Sequence, residues 1–357
     1  MATARTKTDV NAGWSIDDEV IRLREWAGEQ KYMLPRPPVD ECLIGSADGC
    51  SLVLEDARVS RKHAQLRRER GKWTITDLAS KNGLRQDGTR SDSFVIEPGV
   101  EIGIGGKTLI AESERSIALR GFCARILGWT SDRTSVIDGA LRAIRLGAMH
   151  RMALVLHGRP DLVPVAHSLH RYTHGADRPF ILCDRRRRKH PEESVRSVAT
   201  YDVGLTALEA AAGGSLCVRN SGRPRDFEAV LLRVRDPSCR VQLILCTEKA
   251  ARDADRLTQI DVPPLASRPT ELDWIVQEYA HDAITALAAP PSAFVPADRT
   301  WVLGCAQTFL EIEKATLRLV ALRTSASARQ AAARLGMSAM ALSQWVERNK
   351  PPVEVEA

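Results

Sequence analysis

Aromatic residues make up only 5% of the 357 residues, and no stretch approaches the roughly 18 consecutive apolar residues that a membrane span needs. The opening MATARTKTDVNAGW lacks the apolar core of a secretory leader. A cytoplasmic protein without membrane contact is therefore expected. Eight cysteines are scattered with no CxxC pair, which argues against a zinc knuckle or thioredoxin-type centre and fits a reducing compartment. Charge of one sign is also scarce: 51 Lys and Arg against 45 Asp and Glu leave +6. So mild an excess permits an anionic partner without requiring one, and its placement matters more. What the chain does have is 44% hydrophobic and 27% charged residues, the profile of a globular protein whose length suggests two or three domains.

Three compositional zones follow one another. From about Ile21 to Glu112, short β-branched runs (CLIG, SLVL, HAQLR, KWTITDL, SFVI, EIGIG, TLIAE) alternate with Gly, Asp and Asn, which predicts an all-β sandwich. From about Gly121 to Pro291, the buried-strand candidates MALVLHG, PFILCD, GSLCV and VQLILCTE alternate with the helical patterns DGALRAIRLGA and LTALEAAA. That alternation predicts an α/β layer on a mostly parallel sheet. A Pro-rich break at 288–292 precedes an all-α end. The expected domains are 18–114, 121–290 and 297–350, after a flexible 1–17 segment.

In the first zone the informative strings are Gly45-Ser46, Val59-Ser60-Arg61-Lys62-His63-Ala64 and Asp77-Leu78-Ala79-Ser80-Lys81-Asn82-Gly83. Their order and spacing resemble the forkhead-associated (FHA) domain, a sandwich of roughly eleven strands whose loops bind phosphothreonine peptides. The residue chemistry points the same way. A phosphothreonine dianion needs converging donors with cationic help: Ser60 offers a hydroxyl, Arg61 a guanidinium and Lys81 an ammonium. Asn82 can grip the peptide backbone, and Asn82-Gly83 suits a tight turn. The resemblance implies that His63 braces the loops and is not a catalytic base. Ser46 stands where the family carries a phosphate-binding arginine, and Leu84 where threonine is usual. Losing one bidentate donor costs roughly 1.5–3 kcal/mol, about one to two decades of affinity. Arg58, Arg61 and Lys81 are the candidates to compensate. The alternative is a scaffold that binds protein surfaces without phosphate.

Residues 152–184 resemble the opening of the AAA+ domain of bacterial enhancer-binding (NtrC-like) activators: the strand Leu154-Val155-Leu156, a helix closed by His170, then Pro179-Phe180 opening the next strand. ALEAAAGGSLCV (207–218), the helix around Leu231–Val234, the strand in Arg240–Thr247 and RLTQIDVPPLASRP (256–269) continue the likeness over about 120 residues. Every position for ATP chemistry differs. A phosphate loop needs G-x-x-x-x-G-K-[ST], and here Gly158-Arg159-Pro160-Asp161-Leu162-Val163-Pro164 offers no second glycine, lysine or hydroxyl. Arg219-Asn220 replace the acids that hold magnesium. The loop that engages the alternative sigma factor is also absent; only 192–204 lie there. The reading is a pseudo-ATPase fold and no enzyme, with no cofactor and no metal. Arg185–His190, the densest basic run, reads as a solvated loop, the alternative being a patch for DNA phosphates or an acidic partner.

Glu311–Asn349 reads as three helices, the first through Ile312, Ala315, Leu319 and Leu322 and the second over about 327–335. Ala331-Ala332-Ala333-Arg334-Leu335-Gly336-Met337-Ser338, then Leu342, resembles the Fis-type helix-turn-helix of the same regulators. Ser338 is the expected N-cap of the helix after the turn. That resemblance implies major-groove readers at Ala339, Met340, Ser343 and Gln344. Arg329, Arg334, Arg348 and Lys350 are the expected phosphate contacts, and Trp345 a core anchor. A helical bundle without DNA has the same apolar pattern.

The combined reading is a homodimeric transcription regulator that binds double-stranded DNA. Its sandwich would recognise phosphothreonine written by a Ser/Thr kinase, on a partner or on another copy of the chain. The alternative is a phosphoprotein-binding adaptor in kinase signalling, with no DNA binding.

Overall fold

The computed structural model describes residues 18–159, 162–175, 177–187, 198–249 and 258–353. The 1–17 segment expected to be flexible lies outside the described residues, as do Pro160, Asp161 and the Arg188–His190 end of the basic run.

Eleven strands form the first unit: β1 (Arg22–Glu25), β2 (Lys31–Met33), β3 (Glu41–Gly45), β4 (Leu52–Val53), β5 (Ala64–Glu69), β6 (Lys72–Asp77), β7 (Leu84–Gln86), β8 (Thr89–Arg90), β9 (Ser93–Ile96), β10 (Glu101–Ile104) and β11 (Lys107–Glu112). They make two facing sheets, ordered β2-β1-β11-β10-β7-β8 and β4-β3-β5-β6-β9. Alternation sets the register. Leu66 pairs with Ile75 across β5 and β6, and both point into a core with Trp73, Ile44, Ile102 and Leu109. Two hairpins turn on a pair of positive-φ residues, Arg70-Gly71 and Asp87-Gly88, the backbone that matches strand twist in a two-residue loop.

No linker follows the sandwich. Ser113, the residue after β11, caps α1 (Glu114–Leu127) in a reciprocal bond pair with Ser116. The expected gap at 115–120 is therefore helical. After α2 (Thr134–Met149), six strands build an all-parallel sheet: β12 (Leu154–Gly158), β13 (Phe180–Cys183), β14 (Ala199–Tyr201), β15 (Ser215–Arg219), β16 (Gln242–Thr247) and β17 (Gln259–Val262). Between them run α3 (Val163–His174), α4 (Gly204–Ala210) and α5 (Phe227–Arg235). The strand order is β14-β13-β15-β16-β12-β17. Both faces are covered, as parallel sheets require. Phe180, Leu182 and Cys217 join the core under α1, α2 and α3, while Ile181, Leu216 and Val218 meet α4 and α5. The helix expected to close at His170 runs one turn further, to His174, and ends at Gly175 (φ 86°), while the His170 side chain bonds the Ser215 hydroxyl (2.8 Å) and the Arg178 carbonyl (3.0 Å).

The C-terminal helices share the larger of these cores. α6 (Leu272–Ala286) packs on α8 (Phe309–Arg323), with α7 (Pro296–Cys305) ahead of it and α9 (Ala328–Arg334) and α10 (Ala339–Asn349) behind. The expected 297–350 unit is thus fused to the α/β body through α6, not hung from a linker at 288–292. No helix among the described residues is long and apolar enough to cross a membrane.

The sandwich is seated on the body by buried charge. Asp138 on α2, fully buried, accepts two bonds from Arg24 on β1 (2.6 and 3.1 Å), one from the Ala27 amide (2.8 Å) and one from Arg120. Arg24 is 1% exposed and also bonds Glu112 (2.8 Å). Burial works against its charge, but Asp138 and Glu112 more than offset this and hold its pKa above the ordinary value. Around this pair, Arg145 grips Asp87 (2.6 and 2.9 Å), and Arg142 pairs with Glu101 while lying 3.9 Å over the Trp26 ring.

Two predictions follow from these charges. Asp138→Ala strands Arg24 and Arg120, which should lower unfolding stability by about 3–5 kcal/mol and expose the 112–115 junction to protease; an unchanged urea transition would refute the buried pair. Glu313 on α8 is pushed up to about 7 by burial and then by Asp282, against Arg171, Lys314 and Arg125. The folded state then keeps a proton that the unfolded state releases, so stability falls as pH rises from about 4.5 through 7. Glu313→Gln should gain on the order of 2–3 kcal/mol over the parent at pH 8 and nothing at pH 4, read by thermal melts; equal melts at both pH values count against it.

Candidate functional site

Three loops converge at one end of the sandwich: 46–51, 54–63 and 78–83. They lie at the end of β7 and β10 away from the body. Glu101 at the start of β10 pairs with Arg142, whereas Gly106 beyond its far end donates to Asp56 in the second loop.

His63 organises the convergence from a fully buried position. Its Nδ1 accepts from the Ser60 amide (3.1 Å), which leaves Nε2 as the protonated nitrogen, facing the Gly83 carbonyl (3.2 Å) and Ser80 Oγ (3.0 Å). Ser80 in turn donates to Asp77 (2.6 Å) and accepts from the Gly83 amide (2.9 Å). One imidazole thus locks two loops together, as the family resemblance implied. Gly45 permits the 46–51 loop to pack against the 54–63 loop, since a Cβ there would stand 2.1 Å from the Arg61 carbonyl oxygen.

On this frame the expected ligand residues sit side by side. Ser60 Oγ accepts from the Lys81 amide (3.1 Å), and Asn82 Nδ2 donates to the Arg58 carbonyl (2.7 Å). Arg61, Lys81 and Asn82 are exposed and Ser60 half-buried. Ser46, also a candidate peptide contact, is turned inward. Its hydroxyl donates to the Val59 carbonyl (3.0 Å) and its amide to the Ser60 carbonyl (3.1 Å), so it braces the loop. Arg58 compensates less than its charge suggests, because it is paired with Asp56 at 3.3 Å. Asp56 is held below the ordinary carboxylate range by bonds from the Arg58 amide and side chain.

Arg90 was not singled out by the sequence. A Cβ on Gly83 would lie 3.1 Å from its Nε and Nη2, so the guanidinium lies over the Asn82-Gly83 turn, exposed. It brings a further cation to the rim, and only the β7–β8 hairpin puts it there.

Residues 42–105 match the family model for the FHA domain. The N-terminal sandwich is an FHA domain. The chain is 31% identical over 80 residues to the oxoglutarate dehydrogenase inhibitor of Corynebacterium diphtheriae, across 22% of this chain and 54% of that protein. It is 31% identical over 80 residues to the glycogen accumulation regulator GarA of Mycolicibacterium smegmatis, across 22% and 49%. It thus spans about half the length of the curated relatives it matches. A structure of Mycobacterium tuberculosis EmbR with a low affinity phosphopeptide aligns at 24% identity and a TM-score of 0.25, covering 29% of this chain and 27% of that one.

At the other end of the chain, the expected readers share one open face of α10. Ala339, Ser343, Gln344 and Arg348 are exposed, and Met340 is 72% exposed. Ser338 caps the helix by accepting from the Ala341 amide (3.2 Å), and Gly336 makes the preceding turn at φ 63°. Leu342 and Trp345 hold the opposite face down. Trp345 meets Trp301 edge-on at 5.9 Å with the Arg318 guanidinium 4.8 Å over its ring. Arg329 and Lys350 are exposed, Lys350 as a left-handed C-cap. Arg334 corrects the expectation of a phosphate contact: it donates to the Thr324 carbonyl (3.0 Å), Thr324 Oγ1 (2.7 Å) and the Leu287 carbonyl (2.6 Å), tying α9 to the end of α6.

Proposed function

We propose that this chain is a DNA-binding transcriptional regulator whose FHA domain recognises phosphothreonine. The observation that carries the first half is the joint presentation of Ser60, Arg61, Lys81 and Asn82 on loops locked by His63. A phosphothreonine dianion needs such converging, cation-backed donors. The phosphoprotein is a partner or a second copy of this chain, marked by a Ser/Thr kinase.

The second half rests on the open face of α10. A helix after a tight turn, polar and exposed on one side and pinned by Trp345 on the other, suits insertion in a major groove. Gln344 is the candidate for bidentate pairing with adenine and Met340 for a thymine methyl. Two copies on two half-sites make a homodimer the working assembly. The α/β body is proposed as a pseudo-ATPase that serves as a scaffold: Arg219, at the position of a magnesium-holding acid, is paired with Asp184 instead. No catalytic role is proposed. The adaptor reading draws support from the tail's cations, since Arg318, Arg323 and Arg334 are all engaged internally.

Ser60→Ala with Asn82→Ala should abolish binding of a phosphothreonine peptide in calorimetry while leaving DNA binding intact. Arg90→Ala should weaken the peptide by less than tenfold, and retention of full affinity by the double variant would reject the phosphate site. A dimer presenting Arg329, Arg348 and Lys350 twice neutralises about six phosphates, so log K against log salt should fall with a slope near about −5. Gln344→Ala should relax preference at one base pair by about 1–3 kcal/mol, whereas Arg348→Ala should weaken every sequence alike. A flat salt response decides for the adaptor.

A further inference from the structure

The outer face of the sheet that holds β7 and β8 carries charge that the loop site does not use. Leu84, Ile102 and Ile104 point into the core, so alternation sends Arg85 and Gly103 outward. Register then lines up one row across four strands. Arg90 on β8 faces Arg85 on β7, Arg85 faces Gly103 on β10, and Gly103 faces Thr108 on β11. Arg85 and Arg90 are both exposed. Gly103 adds no side chain to screen them, and a Cβ there would stand 3.1 Å from the Arg85 Cβ.

Residues directly opposite across an antiparallel pair share a face with Cβ atoms about 4.5–5.5 Å apart, and like charges so placed repel. Elsewhere on the sandwich cations are neutralised: Arg22 pairs with Glu112, Arg68 with Asp40 and Lys107 with Glu25. The next row towards the body holds two carboxylates, but Arg142 takes Glu101 and Arg145 takes Asp87. Arg85 and Arg90 are left without an ion pair among the described residues. An anion from outside would relieve their repulsion. The patch is also continuous with the loops, because the Arg90 guanidinium lies over the Asn82-Gly83 turn.

We propose that the FHA domain selects phosphothreonine peptides with a second anionic group on one flank, held by Arg85 and Arg90 on the outer face of the β7–β8 hairpin. This rests on the phosphothreonine reading of the loops and adds which phosphoproteins they take: those marked within an acidic or doubly phosphorylated segment. A peptide gripped at Asn82 has one flank beside Arg90 and Arg85. Two guanidinium forks side by side suit the oxygens of a carboxylate or of a phosphate. Selection comes from the hairpin, anchoring from the loops.

The test is calorimetry of the full chain at low salt with phosphothreonine peptides in an Ala-Gly background. One peptide has neutral flanks; the others carry Asp residues before the phosphothreonine, Asp residues after it, or a second phosphothreonine on either side. An anion on one flank should raise affinity about three- to tenfold over the neutral peptide, as two exposed ion pairs would. The gain should shrink as salt rises. A gain from Asp and phosphate alike supports the proposal with any anion as the second group, and a gain from phosphate alone supports it with phosphate in that place. Arg85→Gln with Arg90→Gln should bring the ratio to one while changing the neutral peptide's affinity by less than tenfold, which also reports that the domain is still folded. The proposal is overturned if the parent shows no preference, if both flanks gain equally, or if the double variant keeps the preference. Absence of binding by every phosphopeptide would instead reject the loop site, and this proposal with it.

Discussion

Asp138 is the point on which the architecture turns. A carboxylate with no solvent exposure needs every lone pair satisfied, and it finds its partners in Arg24 and the Ala27 amide of the sandwich and Arg120 of the first helix. Such a buried arrangement adds little net stability over an apolar one, because desolvating the charges offsets their attraction. What it supplies here is a fixed point of contact: Arg24 and the Ala27 amide of the sandwich both bond Asp138 of the body. The outer pairs, Arg145 with Asp87 and Arg142 with Glu101, fix the same edge. The ligand loops are thereby held at the free end of the FHA domain, open to a partner.

The same logic of pairing sorts the basic residues elsewhere. In the C-terminal helices Arg323 is bonded to Asp298, Arg334 to main-chain carbonyls and Arg318 covers Trp345. These cations position α9 and α10 on the body, while those further along α10 remain on the surface. In the α/β layer Arg219 at the end of β15 is paired with the buried Asp184 at the end of β13. Net charge alone would not have separated these roles; burial and the nearest carboxylate do.

Much of the FHA loops was legible because their geometry is local. Ser60, His63, Ser80, Asn82 and Gly83 meet across short loops on adjoining strands, and their residue types fit those bonds and little else. The fate of Ser46 was not legible, since a small hydroxyl can serve a ligand or a carbonyl and only the position of Val59 decides. Arg90 was invisible for a related reason: it belongs to no motif and reaches Gly83 only through the β7–β8 hairpin. The edge strands β14 and β17 escaped because each is only three or four residues long, with polar positions among the apolar ones. α1 begins seven residues ahead of the 121 boundary because Ser113, directly after the last strand, caps it.

By itself the sequence determined the order of sandwich, parallel layer and helices, the residues of the FHA loops, and the cap and apolar side of α10. Those follow from periodicity, turn chemistry and short-range bonding, which act between residues a few positions apart or in adjoining strands. Tertiary structure alone decided the seating of the sandwich on the body and the internal use of Arg334. Each of these joins residues that are tens of positions apart, 114 in the case of Arg24 and Asp138. A charge's role is set by which opposite charge folding brings beside it, and that partner leaves no mark in the neighbouring sequence.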